Sequence, residues 1–144
     1  MDTTQLSGLE FLIALKKGEV PKSPMSQTIP MQLTVVEPNY VEYEVQPDER
    51  HLNLQGGIHG GFYAAVLDSV TGAAVRTTLG AGIRFSTIDL NVKMLKAIKC
   101  NQSYIAIGQV IRTGKSVLTS EGKIIDREGN IYAFGSATLL ILQK

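Results

Sequence analysis

The sequence predicts an α+β fold: an antiparallel sheet of about six strands curled around one long helix, with an extra short helix ahead of it. Three observations carry that expectation. The segment from about Gly60 to Leu79 lacks proline and is rich in alanine, which favours a long helix. Six other segments alternate apolar and polar residues with the period of a strand. One long helix stands against six strands, so the sheet is expected to curl around it, and a single helix cannot bury both faces and all edges of that sheet.

Residues 4 to 17 read as the short helix, with Leu6, Leu9, Leu12 or Ile13 and Lys16 at helical spacing and Gly18 and Pro21 as stop signals. This helix is expected to cap the sheet. Residues 18 to 28, with Gly18, Pro21, Pro24 and three Ser/Thr residues, read as a linker. Met31, Leu33 and Val35, then Val41, Tyr43 and Val45, alternate on either side of the turn Glu37-Pro38-Asn39 and predict a hairpin. Residues 51 to 61 are irregular and rich in glycine. Gly80-Ala81-Gly82 ends the long helix. Strands follow at about 83 to 95, 102 to 113, 116 to 126 and 131 to 142, with turns at Gly114-Lys115 and Arg127-Glu128-Gly129-Asn130. The last strand ends apolar on both faces, which points to a partner subunit or to a buried central position.

The chain has 144 residues and is read as one domain, 1–144, with 1–28 as N-terminal helix and linker. Its net charge of +1, with acids and bases interspersed, gives no footprint for nucleic acid. No apolar run approaches the length of a bilayer span. The first residues carry no basic n-region or apolar h-region, and the single cysteine, Cys100, cannot build an internal disulfide framework. A soluble protein of the cytoplasm is expected.

The informative stretch is Asn53-Leu54-Gln55-Gly56-Gly57-Ile58-His59-Gly60-Gly61, followed six residues later by Asp68. Glycines at a helix start let another molecule approach the backbone, and the free N–H groups there carry the positive end of the helix dipole. Such a place suits a carbonyl oxygen that becomes an oxyanion, one donor being worth about 3 kcal/mol of barrier. Asp68 stands in an apolar stretch of the helix, where a carboxylate is costly unless paired, solvated or used. It lies roughly 10 Å along the axis from the helix start, too far for both to meet one atom within one subunit. A partner chain would then supply one of the two. Taken singly, His59 reads equally as a helix-start residue bonded to the backbone, and Asp68 as a solvated face residue. The set and its spacing favour a site.

The pattern Asn53-x-x-Gly56-x-x-His59-Gly60-Gly61-x6-Asp68 resembles the signature of the hot-dog-fold thioesterases of the phenylacetate-degradation (PaaI-like) type. Ser86-Thr87-Ile88-Asp89-Leu90-Asn91-Val92 resembles that family's strand after the helix, and Arg112-Thr113-Gly114-Lys115 its following turn. The resemblance spans about residues 50 to 142. It implies an acyl-CoA thioesterase with Asp68 as general base or nucleophile. The Gly60 N–H, with Asn53 from the other subunit, would polarise the thioester carbonyl. His59 would orient the substrate near that carbonyl, and Thr87 would help hold the attacking water. Gly61 and the turn Gly114-Lys115-Ser116 would bind the substrate, the turn lying near its coenzyme A part. The resemblance further implies no metal and no separate cofactor, and a homodimer or homotetramer with sites at the dimer interface. Lys93-Met94-Leu95-Lys96-Ala97 departs from the family's aromatic-Pro turn, and Gly57 lengthens its glycine run. Phe62, Tyr63, Phe85 and Met94 are candidates for an acyl pocket or for core.

Other chemistries find less support. Gly114-Lys115-Ser116 lacks the first glycine of a phosphate loop, position 109 being Gln109. Ser69 is not in a nucleophile elbow, Cys100 has no tied histidine, and two histidines without spaced acids make no metal site. A non-catalytic acyl-CoA-binding or sensing protein of the same fold is the alternative. A hot-dog hydratase, which wants a differently placed histidine and acid, ranks below it.

Overall fold

A computed structural model describes residues 1–142. The secondary structure runs α1 (Gly8–Lys16), α2 (Pro24–Thr28), β1 (Met31–Glu37), β2 (Tyr40–Val45), α3 (Gly60–Arg76), β3 (Arg84–Met94), β4 (Tyr104–Thr113), β5 (Val117–Ile125) and β6 (Ile131–Leu142). The strands form one antiparallel sheet in the order β1-β2-β4-β5-β6-β3, and α3 packs against five of the six. This is the hot-dog fold that the sequence predicts.

Three glycines stand in register across the sheet, and the first two let it close on α3. Gly108 of β4 pairs with Gly122 of β5, which pairs with Gly135 of β6. A Cβ on Gly108 would fall 2.0 Å from the Val70 carbonyl oxygen, and one on Gly122 would fall 3.0 Å from a Val70 methyl. Only bare backbone lets α3 sit this deep. Val66, Leu67 and Val70 then bury completely against Val41, Ala106 and Ile124.

Several boundaries differ from the sequence reading. Residues 4 to 17 are not one helix: a 3-10 turn at Thr3–Gln5 ends at Leu6, and α1 starts afresh from Ser7, whose hydroxyl and Glu10 carboxylate form a reciprocal cap. Leu12, not the exposed Ile13, enters the core. The expected linker 18 to 28 contains α2, capped by Ser23 with Pro24 at its first position. The long helix stops at Arg76 rather than Leu79, because the Thr77 and Thr78 hydroxyls turn back onto the Ala74 and Val75 carbonyls while the last N–H groups tighten to three-residue bonds.

The apolar end of β6 has the second of its two explanations. β6 is central, between β5 and β3, and its residues alternate buried and exposed up to Leu139. The exposed edges belong to β1 and β3. β3 is the longer, at 11 residues, and carries a bulge at Ile88 between Thr87 and Asp89. The extra residue shifts the phase of the strand, so Phe85 and Thr87 before it, and Leu90 and Val92 after it, all turn inward.

Helix α1 does more than cap. It lies against β1 and α3, with the Gly8 N–H donating to the Leu79 carbonyl at 2.9 Å. It thereby walls the opening between the β1 and β3 edges, beside the exposed face of α3. Among the described residues, no helix is long and apolar enough to cross a membrane.

Candidate active site

The loop that delivers α3 is built on a residue the sequence reading left without a role. His51 is buried, its Nε2–H donating to the Thr28 carbonyl at 2.7 Å while its Nδ1 accepts from the Asp48 N–H at 2.9 Å. Its ring packs on Phe62 of α3. Arg50 grips Asp48 through Nε and Nη2, and this holds the Asp48 carboxyl well below the usual carboxylate range. From that anchor the chain loops out and returns through the bridge of Leu52 with Ile58 and the His59 N–H bond to the His51 carbonyl.

Asn53 fixes the loop from within. Its Oδ1 accepts from the N–H groups of Gln55 at 2.9 Å and Gly57 at 3.1 Å, and Gly56 takes a φ of +83°. The carbonyl of that amide is therefore spent, while its NH2 has no partner among the described residues. His59 is the N-cap of α3: its Nδ1 accepts the Gly61 N–H at 2.8 Å. The neutral ring then carries its proton on Nε2, exposed to solvent. The Gly61 N–H is consumed by this cap. The Gly60 N–H has no partner among the described residues and stays available as a donor. The thioether end of Met94 lies over it; a Cβ on Gly60 would come within 3.1 Å of Met94 Cε.

Asp68 occupies a second place. It is exposed on α3, and its carboxylate has no hydrogen-bond or ion-pair partner among the described residues. It lines a cleft of about 420 Å³ together with Thr87 and Phe85 of β3, Ser69, Gly72, Ala73 and Arg76 of α3, and Phe11, Leu12 and Leu15 of α1. The solvated placement removes the burial penalty that the sequence raised. Gly72 gives Phe85 room to lie on the helix, with 3.4 Å from a would-be Cβ to its ring.

The turn Gly114-Lys115-Ser116 occupies a third. The Gly114 N–H donates to the Val117 carbonyl and the Ile141 N–H to the Ser116 carbonyl, and Lys115 is exposed. Ser116 therefore lies beside Ile141, whereas Met94, over Gly60, pairs with Ala133. Eight residues of β6 separate these levels, roughly 26 Å at the rise of a strand. One subunit thus joins Asp68 with Thr87 in the cleft, joins His59 with Gly61 at the helix start, and holds the turn far from that helix start, across β6 from Ser86.

Of the four apolar candidates, Phe62 and Tyr63 are core, Tyr63 also donating its hydroxyl to the Lys96 carbonyl; Phe85 lines the cleft and Met94 covers the helix start. Sequence reasoning missed Phe11, Leu15 and Arg76. Arg76 lies eight residues after Asp68, about two turns further along the helix. Among the described residues, no three His, Cys, Asp or Glu side chains cluster as a metal site.

A six-stranded antiparallel sheet curled around one long helix is the fold of the hot-dog thioester hydrolases. The chain belongs to the thioesterase superfamily, whose model matches residues 55–133. It is 24% identical over 102 residues to acyl-coenzyme A thioesterase 13 of Homo sapiens, covering 70% of this chain and 72% of that protein. Among solved structures, a phenylacetic acid degradation-related protein from Ralstonia eutropha JMP134 superposes with TM-score 0.82 at 25% identity, covering 90% of this chain and 98% of that one. BH2602 from Bacillus halodurans, solved with CoA, superposes with TM-score 0.77 at 21% identity, covering 96% and 91%. The resemblance to the PaaI-like thioesterases is matched by the Ralstonia eutropha neighbour.

Proposed function

We propose that this protein hydrolyses acyl-CoA thioesters, with Asp68 as the group that promotes attack on the thioester carbonyl. One observation carries the reading: Asp68 stands unpaired beside Thr87 in a cleft that Phe11, Leu12, Leu15 and Phe85 also line. An ionised carboxylate with no structural partner is free to take a proton from water or to attack the carbonyl itself. Thr87 offers a hydroxyl to hold that water. Coenzyme A enters as part of the substrate, and the CoA held by the Bacillus halodurans neighbour supports this.

The carbonyl oxygen needs donors that the Asp68 cleft does not hold. The Gly60 N–H at the positive end of α3, with the free NH2 of Asn53, suits that task, and His59 keeps the helix start in shape. Since these stand roughly 12 Å along the axis from Asp68, we assign them to the partner subunit of a homodimer. The long unpaired β3 edge, with Ile88 57% exposed at its bulge, supports an interface beside Thr87. A homotetramer built from such dimers, in the cytoplasm, is the proposed state, with Gly114-Lys115-Ser116 facing the coenzyme A moiety.

The test is hydrolysis of acyl-CoA followed by release of free thiol. Asp68→Asn is expected to abolish turnover while leaving the melting temperature and the substrate affinity close to wild type. Retention of wild-type thiol release by Asp68→Asn would remove Asp68 from the chemistry.

A further inference from the structure

The cleft beside Asp68 has a charged far end. Arg76 shares it, eight residues along the same helix and roughly 12 Å up the axis by the helical rise. Its side chain is only partly exposed, yet no carboxylate forms an ion pair with it among the described residues. The guanidinium instead rests against two phenyl rings, 5.1 Å from the Phe11 centroid and 5.7 Å from that of Phe85. Ring contact of this kind uses none of its N–H donors, which have no hydrogen-bond partner among the described residues. The charge also sits in the last turn of α3, where the helix dipole favours it, but that interaction uses no N–H either. Phe11, Leu15, Gly72 and Ala73 give the cleft an apolar side, while Tyr43, Ser69 and Thr87 line it with hydroxyls.

An unpaired planar cation in a cleft of mixed apolar and hydroxyl lining is built for a planar anion. The geometry points to ω-carboxyacyl thioesters as the preferred substrates, the half-thioesters of linear dicarboxylic acids, with the distal carboxylate on Arg76. This rests on the thioesterase reading for the placement of the reacting carbonyl at Asp68. A helical side chain leans toward the N-terminus, so Arg76 reaches back toward Asp68 and shortens the gap. An extended chain advances about 1.2 Å per bond, so six to eight bonds span about 7–10 Å and fit the remainder. The groove therefore matches an acyl group of about eight carbons. A plain acyl chain of the same length would end against a cation it cannot satisfy.

The experiment compares suberoyl-CoA with octanoyl-CoA, matched in length, on the full chain. Wild type is expected to favour suberoyl-CoA about tenfold or more in kcat/KM, the scale of one charge-assisted hydrogen-bonded contact. Arg76→Met, which keeps the length against the two rings, is expected to bring that ratio to about one, and Arg76→Lys to leave it between. Arg76→Gln serves if the Met variant fails to fold. Calorimetric binding of both thioesters to Asp68→Asn, with and without Arg76→Met, reads the same preference without turnover. Equal handling of the two thioesters by wild type, or a preference that survives loss of the arginine, overturns the proposal. If wild type turns over neither thioester, the thioesterase reading fails, while the binding arm still decides whether Arg76 selects the carboxylate.

Discussion

At the scale of single residues, the cap at His59 shows how tightly the helix start is drawn. A Cβ at Gly61 would stand 2.9 Å from His59 Nδ1, so Gly61→Ala must push the imidazole off the N–H it accepts. The expected cost is about 1 kcal/mol in urea unfolding, that of a lost N-cap, together with a fall in kcat/KM as the Gly60 donor loses its orientation. Tyr43, which lines the cleft, gives a pH prediction. Burial pushes its phenol up to about 12, with the nearby Arg76 charge pulling in the opposite direction. The folded state thus holds that proton more tightly than the unfolded chain, whose tyrosine titrates near 10. The stability it contributes is complete below pH 10 and is lost as the pH rises toward 12. Tyr43→Phe is expected to flatten the fall in melting temperature across that window. Asp68 and Thr87 were legible in the sequence because each broke a pattern or matched a motif: a carboxylate in an apolar helix, a hydroxyl in a Ser-Thr-x-Asp strand. Arg76 was not, because a basic residue in the last turn of a helix already has an ordinary reason to be there.

At the scale of elements, the seat of α3 on the sheet rests on Gly108. Its missing Cβ leaves room for the Val70 carbonyl, which is backbone and cannot swing away. Gly108→Ala is therefore expected to destabilise the fold by about 3 kcal/mol or more, visible as a lower denaturant midpoint, and to displace Asp68 with its helix. Gly122, which meets only side-chain methyls, should tolerate alanine better. Strand periodicity made all six strands and the long helix legible, since each buries one regular face. The short α2 escaped because five residues around Pro24 and Ser26 carry a linker's composition. The bulge at Ile88 escaped because a single inserted residue leaves the strand's composition unchanged while reversing its phase. That reversal directs Thr87 and Val92 to the same side.

At the scale of the whole molecule, the proposed site needs two chains, and mixing tests it. Asn53→Ala and Asp68→Ala homodimers should each be nearly inactive. After joint refolding, half the dimers are mixed and one of their two sites is intact, so about a quarter of wild-type activity should return. No recovery would place the whole site within one chain. The sequence indicated that one helix could not cover every edge, but strand order was beyond it, because register across a sheet is set by contacts between distant segments. That is why the apolar tail of β6 was equally compatible with an interface and with the central position it occupies. The same strand order has a consequence in time. Among the described residues β3, which carries Thr87, pairs with β6 alone, and about 40 residues separate the two. At 5–20 residues per second, a ribosome leaves β3 without its neighbour for roughly 2–8 s. The Thr87 wall of the cleft is thus among the last parts of the sheet to be laid down, and a nascent chain stalled before Ile131 would hold Asp68 against α1 with its Thr87 wall not yet fixed.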